Sequence, residues 1–236
     1  MQSKESRGLL AVFTDVDPYF LTEFQRWHNC EHIAERVSVP GFLAGHRYHG
    51  TGQASEFMFL YETVDFQVLG SEPYLNILNN PTPWTREAIP HLKVSSRTIY
   101  TLLASAGNRP ALTAGFVSAW RFDCQPGGEQ EIINWYRDSY LPRIVRLPGV
   151  SRGRLYESLP ELSQISTTER KLHGSGPAKQ RFLALYEISS RDFADSKAWQ
   201  ELKGGSVQEK SMKNQMLDLK EEFYWLHFTM EAVETM

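Results

Sequence analysis

Cysteine is scarce: Cys30 and Cys124 are the only two in 236 residues. Two are too few for a disulfide framework, and their spacing makes no metal-ligand pair. No apolar run approaches the length of a membrane-spanning helix. The opening stretch MQSKESRGLLAVFTDVD lacks the long apolar core of a secretion signal. No cluster of Lys and Arg suggests a nucleic acid, no acidic run forms a tail, and the formal net charge is only −3. These absences lead us to expect a cytoplasmic protein with neither a nucleic-acid nor a membrane partner. A homodimer is compatible with them.

What is present is apolar and aromatic. Hydrophobic residues make up 41% of the chain and aromatics 12%, enough for one large domain or two small ones. Histidine is unevenly spread. Four of the seven, His28, His32, His46 and His49, fall in WHNCEHIAERVSVPGFLAGHRYHG, from Trp27 to Gly50.

That stretch recurs. Shifted by 108 positions without a gap, Trp27 meets Trp135, Val37 meets Val145, Pro40-Gly41 meets Pro148-Gly149, Gly45 meets Gly153 and Tyr48 meets Tyr156. Further on, Leu60-Tyr61-Glu62 matches Leu185-Tyr186-Glu187 at an offset of 125, so the second copy carries 17 extra residues. They lie in a polar, Ser/Gly-rich segment, 158–180, of the length used for lids and partner contacts. The expected division is a first repeat at 1–104, a linker at 105–114 and a second repeat at 115–236.

Each copy reads β-α-β-β-α-β. LLAVFT is a short apolar strand. The stretch DPYFLTEFQRWHNCEHIAERV places Phe20, Phe24, Trp27 and Ala34 at helical spacing, and Pro40-Gly41 ends it. FLAGHRYHG and EFMFLYET form a strand pair, YLNILNN begins a second helix, and VSSRTIYTLLA is the last strand. NPTPWT reads as a rigid turn carrying an aromatic plug. In the second copy QEKSMKNQMLDLKEEF reads as a helix and YWLHFTME as its closing strand. The fold class is therefore α+β: two ferredoxin-like βαββαβ repeats that pack as a dimeric-α+β-barrel-type pseudo-dimer within one chain.

On Phe24, Trp27, His32 and then Pro40-Gly41, an aromatic helix followed by H-x7-P-G, the sequence resembles the EthD-like branch of the dimeric α+β barrel superfamily. The signal is concentrated in residues 20–50. The resemblance implies an enzyme of the lyase, dehydratase, isomerase or oxygenase type, usually free of cofactor and sometimes haem-dependent, with His32 lining its pocket.

The residues carry an argument of their own. On a helical wheel Glu31 falls on the stripe of Phe20, Phe24, Trp27 and Ala34, with His28 and His32 on its flank. A carboxylate among aromatics loses hydration, and with neighbouring imidazoles it becomes equipment for proton transfer near neutral pH. The second copy has Tyr136, Ser139 and Tyr140 at these places, so one working site is expected. His32, Glu31 and His28 are the expected catalytic residues. Arg47, Tyr48, His46, Trp27 and Trp84 are the expected substrate-binding residues, for a small hydrophobic or aromatic substrate. In GHRYHG, His46 and Tyr48 share one strand face and Arg47 and His49 the other, and the sequence leaves open which face lines the pocket. The alternative reading is that Glu31 pairs with Arg47 or Arg97 and serves the fold alone. His28-Asn-Cys-Glu31-His32 matches the inverted zinc motif H-x-x-E-H, but no third ligand is evident. No metal and no cofactor are expected. The alternatives are a non-catalytic ligand-binding barrel and a haem- or metal-dependent barrel enzyme.

Overall fold

The computed structural model describes residues 7–108, 113–174, 176–204 and 207–233, the side chains of residues 94, 95, 194 and 202–209 excepted. Eight antiparallel strands close into a barrel in the order β1-β3-β2-β8-β5-β7-β6-β4. They are β1 (Gly8–Val16), β2 (Phe42–Gly50), β3 (Phe57–Thr63), β4 (Leu92–Gly107), β5 (Phe116–Cys124), β6 (Val150–Ser158), β7 (Phe182–Ile188) and β8 (Met216–Glu231). Each half contributes the same ladder, 4-1-3-2 in the first and 8-5-7-6 in the second, which is the ferredoxin-like order. The halves are stitched by β2 with β8 and by β4 with β6.

Period-two alternation sorts the side chains into three layers. Leu9, Ala11, Phe13, Met58, Leu60 and Tyr48 point into the barrel, where they meet Val117, Leu183 and Tyr156. Leu10, Val12, Phe57, Phe59 and Tyr61 point outward under the helices of the first half. Trp120, Phe122, Phe182 and Tyr186 do the same in the second half. The barrel also encloses a charged cluster. Arg154 donates to Glu62 at 2.7 Å and to Glu187 at 2.9 Å, and Arg152 reaches Glu187 beside them. Burial pushes the Glu62 carboxyl up, but Arg154, His46 and Arg152 outweigh it and hold it below the ordinary carboxylate range.

The helix α1 comprises an α-helical Leu21–Trp27, a π turn His28–His32 and an α-helical Ile33–Val37. The helix α4 repeats the pattern with Glu129–Trp135, Tyr136–Tyr140 and Leu141–Ile144. A π turn takes one residue more than an α turn, so every later residue is rotated back. The regular wheel buries Ala34 and exposes Ile33. In the structure Ile33 is buried and Ala34 only half-buried. Gly41 and Gly149, each after its proline, have φ of +95° and +105° and turn the chain from helix to strand. At Gly45 a Cβ would stand 2.9 Å from Ile33 Cγ2, and at Gly153 it would stand 2.8 Å from Leu141 Cδ2. A larger residue there would push the helix off the sheet.

The sequence expectation is corrected in several places. β4 runs through Gly107 into the expected linker, of which residues 109–112 lie outside the described residues. Residues 1–6, the start of the first repeat, also lie outside them. NPTPWT is not a bare turn. It opens the helix α3 (Pro83–Ala88), which follows α2 (Glu72–Asn79), with Thr82 as its N-cap and Pro83 in its first turn. The expected helix over residues 208–223 stops at Gln215, where β8 begins. β8 must be 16 residues long because it pairs with both β5 and β2, and that pairing overrides the helical bias of LKEE. Segment 158–180 carries structure of its own. It holds α5 (Pro160–Ser163) and α6 (Thr168–His173), and it leaves the second half to pack on the first. Leu159 N–H donates to Ile99 O at 2.7 Å, and Thr168 N–H donates to Asn79 Oδ1 at 3.2 Å.

Candidate active site

A cavity lies in the first half, between α1 and the outer face of the sheet, roofed by α6 from the other half. The empty space here, its open mouth included, amounts to about 560 Å³. Its floor is Leu10, Val12, Phe59 and Tyr61. Trp27, His32 and Arg36 come from α1, Tyr74 and Leu78 from α2, and Arg97 from β4. The roof brings Thr167, Glu169, Arg170 and His173.

The π turn decides which of the clustered residues meets this space. His32 lines the cavity and lies against the Trp27 ring, centroids 4.3 Å apart. Burial, and then the charges of Arg36, His28 and His173, depress its pKa well below the ordinary histidine value, so its imidazole is neutral at pH 7. Its Nδ1 has no hydrogen-bond partner among the described residues. Nδ1 is thus available to a molecule occupying the cavity.

Glu31 is turned away from the cavity. Thr82 and Thr85 donate their hydroxyls to Glu31 Oε1 at 2.6 and 3.1 Å, and Trp27 Nε1 donates to Thr85 Oγ1 at 3.1 Å. The carboxylate thus holds, through Thr85, the indole that packs on His32. The expected Glu31–His32 couple over one substrate is replaced by this relay. Neither alternative partner for Glu31, Arg47 or Arg97, is bonded to it.

The remaining expected residues are dispersed. His28 is fully buried between Phe24 and Phe59, with the Tyr61 hydroxyl 3.4 Å from its Nε2. Arg47 lies over the rings of Phe24, Phe57 and Phe228, and its Nε donates to His227 Nδ1 at 3.3 Å. Burial lowers the Arg47 pKa to about 10. His46 and Tyr48 face the barrel interior beside Glu62 and Arg154, on the opposite side of the sheet from the cavity. Trp84 donates its indole N–H to Glu23 at 3.0 Å, outside the cavity wall. The sequence reading missed Arg36, Tyr61, Tyr74 and Arg97 and the whole roof. The available signal was the 17-residue insertion, with its helix-capping Thr167 and the charged run TERKLH.

The corresponding space in the second half is filled. In the sheet register Val12 sits opposite Arg97, and at the matching place Trp120 sits opposite Glu221. The Trp120 indole packs against Tyr186, Trp199 and Tyr140, with centroids 5.2, 6.3 and 6.4 Å away. Tyr140 replaces His32, and burial pushes its phenol well above the ordinary value.

Among the described residues, no group of three or more His, Cys, Asp or Glu side chains is gathered to hold a metal ion. Two imidazoles, His32 and His173, reach the cavity, and the rings of Trp27, Phe59 and Tyr74 line it. No helix among the described residues is long and apolar enough to cross a membrane.

No family model matches this sequence, and no curated protein matches it. Solved structures do. The chain is similar to an anthrone oxidase-like protein, at 11% identity and a TM-score of 0.63 over 100% of this chain and 98% of that one. It is also similar to a candidate monooxygenase of Fusobacterium nucleatum, at 9% identity and a TM-score of 0.60 over 96% and 95% of the two chains. A third, from Lactobacillus acidophilus and of the same description, shares 7% identity at a TM-score of 0.57 over 97% of each chain. At such identities the likeness speaks for the fold, a dimeric-α+β-barrel architecture completed within one chain.

Proposed function

We propose that this chain is an oxygenase-type enzyme that oxidises a small aromatic molecule bearing an acidic C–H or O–H bond, with His32 as the proton acceptor and without a bound cofactor. The observation that carries the reading is the His32 imidazole, neutral and with Nδ1 unpartnered, inside a largely apolar cavity. The anthrone oxidase-like and monooxygenase descriptions of similar folds support the choice of oxygenase over lyase or isomerase. The EthD-like resemblance of residues 20–50 is compatible with it.

Removal of a proton by His32 leaves an electron-rich carbanion or phenolate, which dioxygen can oxidise directly. For anthrone the balance is one substrate and one O2 giving anthraquinone and water. The methylene carbon loses two hydrogens and gains one oxygen, and the second oxygen leaves as water. Apolar walls exclude bulk water and keep the imidazole unprotonated. Trp27, held through Thr85 by Glu31, offers a flat face for an aromatic ring.

The test is oxygen uptake with anthrone in metal-chelated buffer. The reading requires uptake matched one-to-one by anthraquinone and dependent on His32. Binding of aromatic probes without any uptake would mark a ligand-carrying barrel instead.

A further inference from the structure

The polar wall of the cavity carries more cations than carboxylates. Arg36, Arg97 and Arg170 all line it, against the single carboxylate of Glu169. Arg36 is neutralised: Glu169 accepts from its Nη2 and Glu35 from its Nη1. Arg170 is spent on structure, its Nη1 bonded to the carbonyls of Ser163 and Ile165 at 2.8 and 3.4 Å. Among the described residues Arg97 has no carboxylate partner. The bond from its side chain is Nη2 to the Tyr74 hydroxyl, 3.1 Å away. Two guanidiniums with local partners thus frame a third whose side-chain partner among the described residues, Tyr74, is neutral.

The neighbours of Arg97 leave its charge uncompensated. His173, across the cavity, is driven down to about 4 by burial and by Arg97 itself. His32 is held neutral partly by the same guanidinium. Neither imidazole adds positive charge at pH 7, and neither supplies a negative one. The second half holds Glu221 at the register position of Arg97, so the cation belongs to the half with the cavity. A guanidinium in such a place presents a planar fork that matches two oxygens or one strongly charged oxygen.

We infer that the molecule bound here carries an anionic oxygen of its own, as an aryl carboxylate or an ionised phenol, and that Arg97 is the residue that recognises it. This rests on the cavity being the substrate site, as proposed above. It adds the substrate's charge and makes Arg97 a specificity-determining residue. The aromatic ring lies toward Trp27 and Phe59, the anion toward Arg97 and the roof.

The experiment is calorimetric binding to the full chain, with turnover left out of the readout. Benzoate is compared with its neutral analogue benzamide, and 4-nitrophenol in alkaline buffer, where it is ionised, with 4-nitroanisole. At least one anion should bind at least about tenfold more tightly than its neutral partner, and which pair shows the difference separates carboxylate from phenolate. Arg97→Gln should abolish that preference while leaving the neutral probe's affinity unchanged. Arg97→Lys, which keeps a charge but loses the fork, should weaken the anion severalfold, and it carries the test if the glutamine variant does not fold. Equal binding of charged and neutral probes to the wild type overturns the inference, as does undiminished anion binding in the variants. Anthrone becomes an oxyanion as its ionised enol, so oxidation of anthrone through His32 that Arg97→Gln leaves unchanged would overturn it too, while leaving the oxygenase reading intact. Anion binding without oxidation would do the reverse.

Discussion

Glu169 Oε1 lies 2.5 Å from Nη2 of Arg36, in an ion pair that spans 133 residues of sequence and joins the two halves over the cavity. Burial works against the Arg36 charge, but Glu169, with Tyr74 and Glu35, outweighs it and holds the guanidinium above its ordinary pKa. The roof therefore closes on the first half through a buried charge. Removing one partner of such a pair leaves an uncompensated ion, typically at about 3–5 kcal/mol.

Glu169→Ala should consequently cost about 2–3 kcal/mol in urea unfolding, less than that full penalty because Glu35 remains on Arg36 at 2.6 Å. Glu169→Gln should cost less again, since an acceptor oxygen is kept. A loss below about 0.5 kcal/mol for the alanine variant would mean that the roof is not fastened here.

Val12→Trp should empty the site of ligand without unfolding the protein. The second half already holds Trp120 at the matching register position, so this sheet tolerates an indole. Overpacking should cost about 1–3 kcal/mol. The far-ultraviolet circular dichroism spectrum should stay native while benzoate binding and anthrone oxidation vanish. Retained binding would place the ligand elsewhere.

Stability should fall in mild acid. His28 and His32 have folded pKa values well below 6.5, and His173 is at about 4. Burial is the main cause for all three. Each depressed imidazole binds its proton only in the unfolded chain, so its contribution is complete above pH 6.5. It is lost as the pH falls from 6.5 through the folded value. Each adds a slope of up to about 1.4 kcal/mol per pH unit within that window. Glu62, held below the ordinary carboxylate range, extends the loss below about pH 4.5. Urea midpoints between pH 7.5 and pH 5 should drop steeply, and His173→Gln should shallow the slope. A flat profile would contradict the burial of these rings.

The strands and the order of the first helix were legible because period-two and period-3.6 patterns are local. The paired Trp27 and Trp135 and the two Pro-Gly turns exposed the ladder shared by the halves. The π turn at His28–His32 was not legible, since no residue in HNCEH demands it, and it moved Glu31 from the stripe to the threonines of α3. β8 was misread because its pairing with both β2 and β5 is tertiary. The roof was invisible for the same reason: nothing in TERKLH states that α6 will cross to the other half. Arg97 could be named only as a partner for Glu31, since the cavity it faces is assembled from both halves.

The most direct test of the account is a comparison of His32→Ala with Tyr140→Phe, which occupy matching positions in the two halves. Turnover is read as oxygen uptake with anthrone, and folding is checked by unfolding midpoints. The account predicts that His32→Ala loses on the order of a hundredfold or more in turnover while remaining folded. Tyr140→Phe, in the half whose cavity Trp120 fills, should retain turnover within a few-fold. Wild-type turnover in folded His32→Ala, or an equal loss in both variants, would contradict it.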